Sequence, residues 1–194
     1  SLIIEEQYEG FGASDLELNL AIYEHGYYLA PTPLKVLSYI TMLLQECGSD
    51  DSKNHILPKI STGVQYGAIV TDQSTLKVKI DKDKISGDIE RILFLEDAEN
   101  LIFVLDDKLY SVALNQKCVE KISQESVDPT QALSTLKLSN ASFDILSDSD
   151  LIESYTIAKA RMTIFLANEM LGAATHAFDM ALQYAKDRQQ FGNP

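Results

Sequence analysis

The feature that most constrains this chain is a double change of hydrophobic period. Between residues 14 and 63 apolar side chains recur at helical spacing. From about Tyr66 they alternate or gather in short runs, and beyond Ser147-Asp148-Ser149-Asp150 the helical spacing returns over a longer stretch. A 3.6-residue repeat scatters its apolar face if drawn out as a strand, and a two-residue repeat does the same if wound into a helix. The chain is therefore expected to be α+β: an N-terminal helical segment over 1–64, a middle antiparallel β-barrel or sandwich domain over 65–147, and a further helical unit over 148–194.

Local signals fix the ends of the first helices. Ser14-Asp15-Leu16-Glu17 is a capping box, and Leu16, Leu20, Tyr23 and Tyr27 behind it define one helical face. Pro31 and Pro33 break that helix and start another, which runs through Val36, Ile40, Leu43 and Leu44 to Cys47-Gly48. Ser49 caps a third helix, with Asp50 and Asp51 where the helix dipole favours negative charge, and Gly63 ends it.

Strands are predicted at 67–71, 76–80, 101–105, 109–113 and 134–138, with a tight hairpin at Asp106-Asp107-Lys108. Lys77, Lys79, Lys82 and Lys84 read as a solvated face or a guarded sheet edge. In the last region Ile164, Ala167, Leu171, Ala174, Phe178, Ala181 and Ala185 form an apolar stripe, with no following element in this sequence to cover it.

A formal charge of −13 argues against nucleic-acid binding, which needs clustered Lys and Arg. Cys47 and Cys118 lie far apart with no metal or redox spacing and read as reduced thiols. No apolar run approaches the roughly 20 residues of a membrane span, and no charged-then-apolar leader opens the chain, so a cytoplasmic location is expected. His25, His55 and His176 fall in separate helical segments and form no metal-ligand pattern. Gly10-Phe11-Gly12 is only the front of a dinucleotide fingerprint, with no strand before it and no third glycine after it. No catalytic motif stands on its own.

The closing run Tyr184-Ala-Lys-Asp-Arg188-Gln-Gln190-Phe191-Gly192-Asn-Pro194 resembles the acyl-CoA dehydrogenase signature Y-x-x-x-R-x-Q-F-G-x-P. Other stretches follow in that family's order. Glu5 to Gly12 is similar to its P-E-E-Y-G-G-x-G turn. Gly48 to Lys53 with Leu57 to Gly63 is similar to its G-S-E-E-Q-K…L-P-x-x-x-x-G helix, and Asp128-Pro129-Thr130 resembles a D-x-T near the end of its β domain. The resemblance implies the family's order of domains, with 148–194 as the start of a C-terminal helical bundle in a truncated or divergent member.

It also implies FAD as cofactor and an acyl-CoA thioester as substrate, dehydrogenated between its α and β carbons. The protein would be a homo- or hetero-oligomer with the FAD site shared between subunits, and an electron-transfer flavoprotein would be the acceptor. By resemblance Arg188 pairs with the pyrophosphate, Gln190, Phe191 and Gly192 lie beside the cofactor of a neighbouring subunit, and Thr71 sits on the flavin side of the β domain. Such a polyanionic ligand calls for positive charge gathered locally, which the sequence does not place.

The departures are specific. Where the family continues as T-E-P-x-x-G-S-D, this chain has Thr71-Asp72-Gln73-Ser74. The N-G-x-K-x-W-I-T segment is reduced to Ser86 through Phe94, and the chain has no tryptophan. The family's chemistry needs a carboxylate to take the α-proton. Some members place it early in the first C-terminal helix, and counting back from Arg188 puts that position at Met162, between Arg161 and Thr163; Glu169 lies about two turns further on. The catalytic residue is therefore unknown from the sequence. Two expectations follow: an acyl-CoA dehydrogenase that this chain alone does not make active, or a non-catalytic subunit that completes a partner's FAD site.

Overall fold

The computed structural model describes residues 2–63, 67–128, 130–148 and 151–189. Three helices open the chain: α1 (Asp15–Tyr27), α2 (Leu34–Cys47) and α3 (Asp50–Ser61). Their caps form where the sequence predicts them. The Ser14 amide donates to the Glu17 carboxylate at 2.6 Å, and the Ser52 amide donates to Ser49 Oγ at 3.2 Å.

The buried face of α1 differs from expectation. Leu18, Ile22 and Gly26 are buried, Tyr23 and Tyr27 are half-buried, and Leu16 and Leu20 are exposed. The buried row begins two residues along from Leu16, roughly 200° around the helix. It contains Gly26, the position that lets another helix come close.

Among the described residues eight strands follow: β1 (Gly67–Ile69), β2 (Leu76–Asp81), β3 (Lys84–Leu93), β4 (Asn100–Leu105), β5 (Lys108–Ala113), β6 (Val119–Gln124), β7 (Leu133–Ser142) and β8 (Asp144–Ile145). They form two open four-stranded sheets, β1-β4-β5-β8 and β2-β3-β7-β6. Pairing is antiparallel except between β1 and β4, which run parallel. Asp106 and Asp107 turn the β4–β5 hairpin with φ of 46° and 55°, the left-handed pair a two-residue turn of this kind requires. β2 is an edge strand that exposes Lys77 and Lys79, as its alternation predicts.

Strands β3, β6 and β8 are additions to the sequence reading. The period of β3 is broken by register shifts at Ile85/Gly87 and Ile89/Ile92, and β6 is an edge strand with little apolar content.

Two cores result. Ile102 and Val104 of β4 point toward the helices, with Ile69, Leu109, Ile40 and Leu44; Leu101 and Phe103 point between the sheets, with Val112, Ile89 and Leu136. β4 is thus covered on both faces, which explains its unbroken apolar sequence.

The last element, α4 (Ile152–Asp187), is 36 residues long. It lies against α1 and α2 and buries Ala158, Phe165 and Gly172, with the Phe165 ring edge-on to Tyr39 at 5.6 Å between centroids. Arg161 fastens it: Nε and Nη2 donate to the Asp15 carboxylate at 2.9 and 2.6 Å, and Nη1 donates to Glu46 at 2.8 Å. The predicted stripe from Ile164 to Ala185 is exposed, not packed. Ile157, Ile164, Leu171 and Phe178 form one seven-spaced row, and Ala158, Phe165 and Gly172 form the next, about 100° away. The smaller row admits the closer approach and wins.

Cys47 is buried and Cys118 half-buried, and both are free thiols. Among the described residues no helix is long and apolar enough to cross a membrane.

Candidate functional site

Where α2, the first sheet, β3 and α4 meet, a cleft of about 370 Å³ opens. Its walls are mostly apolar: Val36 and Tyr39 from α2, Ile69 from β1, Leu93 from β3, and Met162 and Leu166 from α4. Thr71, just past β1, supplies a hydroxyl. The charged residues lining it are Lys35, Arg91 and Lys159, all cations; no Asp or Glu lines the cleft among the described residues. Positive charge is therefore gathered here within an acidic chain, at the place the sequence leaves unspecified.

The three cations differ in freedom. Lys35 Nζ donates to Glu169 Oε2 at 2.9 Å, and both side chains are nearly buried. Arg91 Nη2 donates to Asp72 Oδ2 at 2.9 Å in an exposed pair. Lys159 has no ion-pair partner among the described residues, and its ammonium stands 5.6 Å from the centre of the Tyr155 ring. Burial, and then the negative charge of Glu169, push the Tyr39 phenol up, so it stays a neutral donor in the cleft wall.

The segment after Thr71 is held on two sides. Asp72 Oδ1 accepts from the Ser74 amide at 3.0 Å and its hydroxyl at 2.6 Å, and Gln73 Nε2 donates to the Tyr155 hydroxyl on α4 at 3.1 Å. The Ser74 hydrogen bonds, with a smaller contribution from Arg91, hold Asp72 below the usual carboxylate range.

Thr71 and Met162, far apart in sequence, thus share one cleft. Arg188 does not join them. It caps α4 at its far end, where Nη1 donates to the Tyr184 hydroxyl and the guanidinium lies 5.3 Å from that ring centre. Twenty-six residues separate it from Met162 on one helix, roughly 39 Å at a rise of ~1.5 Å per residue. Gln190, Phe191 and Gly192 lie outside the described residues. Glu169 faces away from the cleft, held by Lys35 with His25 Nδ1 at 3.3 Å, beside a smaller cavity of about 170 Å³ that Asp128 and Thr130 also line.

Lys35, Tyr39, Arg91 and Lys159 were not singled out by the sequence reading. Each is an ordinary surface or core residue of its own element, and only the packing of four elements brings them together. The residues fit a cofactor of mixed character, because apolar walls, the hydroxyls of Tyr39, Thr71 and Thr163, and three cations with no carboxylate in the lining among the described residues suit a flat ring system carrying phosphates.

Three helices packed on one of two facing sheets, with a cleft where the first sheet and β3 meet the final helix, are the architecture of the acyl-CoA dehydrogenase fold, which this chain shares. No protein-family profile matches it. Two curated relatives are acyl-CoA dehydrogenase IpdE2 of Mycolicibacterium smegmatis, 24% identical over 198 residues, and its namesake from Mycobacterium tuberculosis, 25% identical over 194. Each alignment takes in all of this chain and 52% of the relative, so the chain spans about half the length of these proteins. Among solved structures, butyryl-CoA dehydrogenase from Megasphaera elsdenii superimposes with a TM-score of 0.84 at 18% identity, covering 99% of this chain and 59% of that one. A glutaryl-CoA dehydrogenase from Mycobacterium smegmatis in complex with FADH2 gives 0.82 at 17% identity, covering 100% and 56%.

Proposed function

We propose that this chain is part of an FAD-dependent acyl-CoA dehydrogenase, and that the cleft between β1, β3, α2 and α4 is where an acyl-CoA thioester meets its cofactor. The observation that carries this reading is the lining itself: apolar walls with Thr71, Lys35, Arg91 and Lys159, and no lining carboxylate among the described residues. When bound, the flavin would supply the hydride acceptor. Thr71 would offer its hydroxyl to the cofactor, and Met162 and Leu166 would exclude water from the acyl chain. An electron-transfer flavoprotein would take the electrons onward.

Arg188 fits the reading only with a second subunit. At roughly 39 Å along α4 from Met162, it cannot reach the same ring system, so Arg188, Gln190, Phe191 and Gly192 would serve the FAD of a neighbouring copy or partner.

A second reading, a non-catalytic subunit of a heteromeric dehydrogenase, is favoured by Met162. An apolar side chain lines the cleft where a base-bearing member would place its carboxylate. One structural neighbour, a variant of the Tcur3481-Tcur3483 steroid ACAD, superimposes with a TM-score of 0.78 at 21% identity over 97% of this chain, and its name is a double one.

The test is to express the natural full-length gene product alone and then with each neighbouring gene's product, recording the visible spectrum and acyl-CoA dehydrogenase activity. A yellow, active protein on its own would reject the partner-subunit reading. A colourless protein that becomes active only with a partner would reject the stand-alone enzyme. Failure to bind flavin or acyl-CoA in any combination would reject both.

A further inference from the structure

Arg91 has an unusual backbone for its residue type. Ile89 pairs with Leu136 and Ile92 with Ser134, so Glu90 and Arg91 together stand opposite one residue of β7. This is a β-bulge, and the φ of Arg91 is 57°, a left-handed conformation that few residues with a Cβ adopt. Bulges re-aim side chains, and here the re-aimed side chain lines the cleft.

The partner it finds there is replaceable. The Arg91–Asp72 pair is a single 2.9 Å contact between side chains 60% and 55% exposed. An exposed ion pair of this kind adds little net stability. Asp72 does not depend on it, because its other oxygen already accepts two hydrogen bonds from Ser74. Of the remaining cations in the lining, Lys35 is engaged by Glu169 and Lys159 has no carboxylate partner among the described residues.

We propose that Arg91 and Asp72 form an exchangeable anion latch. A carboxylate or phosphate of a bound ligand takes the guanidinium over from Asp72, and Lys159 is the second cation. The planar fork of an arginine suits either anion. This proposal rests on the reading of the cleft as a ligand site.

The experiment is calorimetric titration of the full-length gene product, as wild type, Arg91→Gln and Asp72→Asn, with butyryl-CoA, glutaryl-CoA, FAD and riboflavin. Arg91→Gln is expected to weaken at least one anionic ligand by about tenfold or more. Asp72→Asn keeps the acceptor for Ser74 but releases Arg91, and is expected to tighten that same ligand. The pattern names the anion. A larger loss for glutaryl-CoA than for butyryl-CoA marks a carboxylate on the acyl group. Equal losses mark the CoA phosphates, and a loss for FAD but not riboflavin marks the dinucleotide phosphates. Weakening by both variants together with a lowered melting temperature would mean a structural role and would overturn the latch. Binding unchanged by Arg91→Gln would overturn the latch alone, and no binding of any of the four ligands to wild type would overturn both it and the ligand-site reading.

Discussion

Gly26 on α1 and Gly172 on α4 each face the backbone of the other helix. A Cβ on Gly26 would stand 2.0 Å from the carbonyl oxygen of Glu169, and a Cβ on Gly172 would stand 2.0 Å from that of Tyr23. The two helices therefore touch backbone to backbone, and this contact sets the rotation of α4 and with it the positions of Met162 and Lys159.

Substituting either glycine by alanine is expected to cost about 1–3 kcal/mol, because neither helix can yield without disturbing Arg161 or Phe165. Urea unfolding of Gly26→Ala, Gly172→Ala and the double variant checks this. The double variant should lose less than the sum, since the first substitution already separates the helices. An unchanged midpoint in both single variants would contradict the close contact.

Arg161 should matter more than the surface pairs. Its side chain is 20% exposed and meets two carboxylates, whereas Lys77, paired with Glu90, is 62% exposed. Arg161→Met is expected to lower stability by about 1–3 kcal/mol, and Lys77→Ala by no more than about 0.5 kcal/mol. Comparing the two midpoints in urea is the measurement.

Burial, and next the charge of Glu46, push the Cys47 thiol up to about 11. At pH 8 only Cys118 should react promptly with Ellman's reagent in the native protein, and Cys47 should follow after unfolding. The raised value means that the folded state favours the protonated thiol. Its contribution to stability is complete below the unfolded value near 9 and is lost as pH rises through about 11. A urea series from pH 8 to pH 11 should show the midpoint falling over that window, and less steeply in Cys47→Ala.

Met162→Trp should fill the cleft from the α4 side. In the full-length protein it is expected to weaken butyryl-CoA binding by about tenfold or more, with little change in melting temperature because Met162 is only half-buried. Undiminished affinity would place the acyl site elsewhere.

Much of the scaffold could be read directly from the residues. Ser14 with Glu17, and Ser49 with Asp50 and Asp51, mark helix starts through local hydrogen bonding and charge, and Asp106-Asp107 marks a hairpin because both residues tolerate positive φ. Of the residues that line the cleft, family resemblance singles out Thr71 and Met162, with Thr163 beside it. Lys35, Arg91 and Lys159 carry no local signal, since a cation on a helix or at a bulge resembles any solvated residue until another element arrives beside it.

The sequence by itself determined the succession of a helical, a strand and a second helical region, because hydrophobic period, caps and turn residues act over a few positions. Tertiary structure decided which face of α4 is inside. Its two adjacent seven-spaced rows both satisfy helical periodicity, and the row through Ile164, Leu171 and Phe178 is the more hydrophobic. The row through Ala158, Phe165 and Gly172 is buried because it fits against Gly26 and Tyr39, bringing backbones and rings into contact that larger side chains would hold apart. That steric choice, made between residues more than a hundred positions apart, turns Met162 and Lys159 into the cleft.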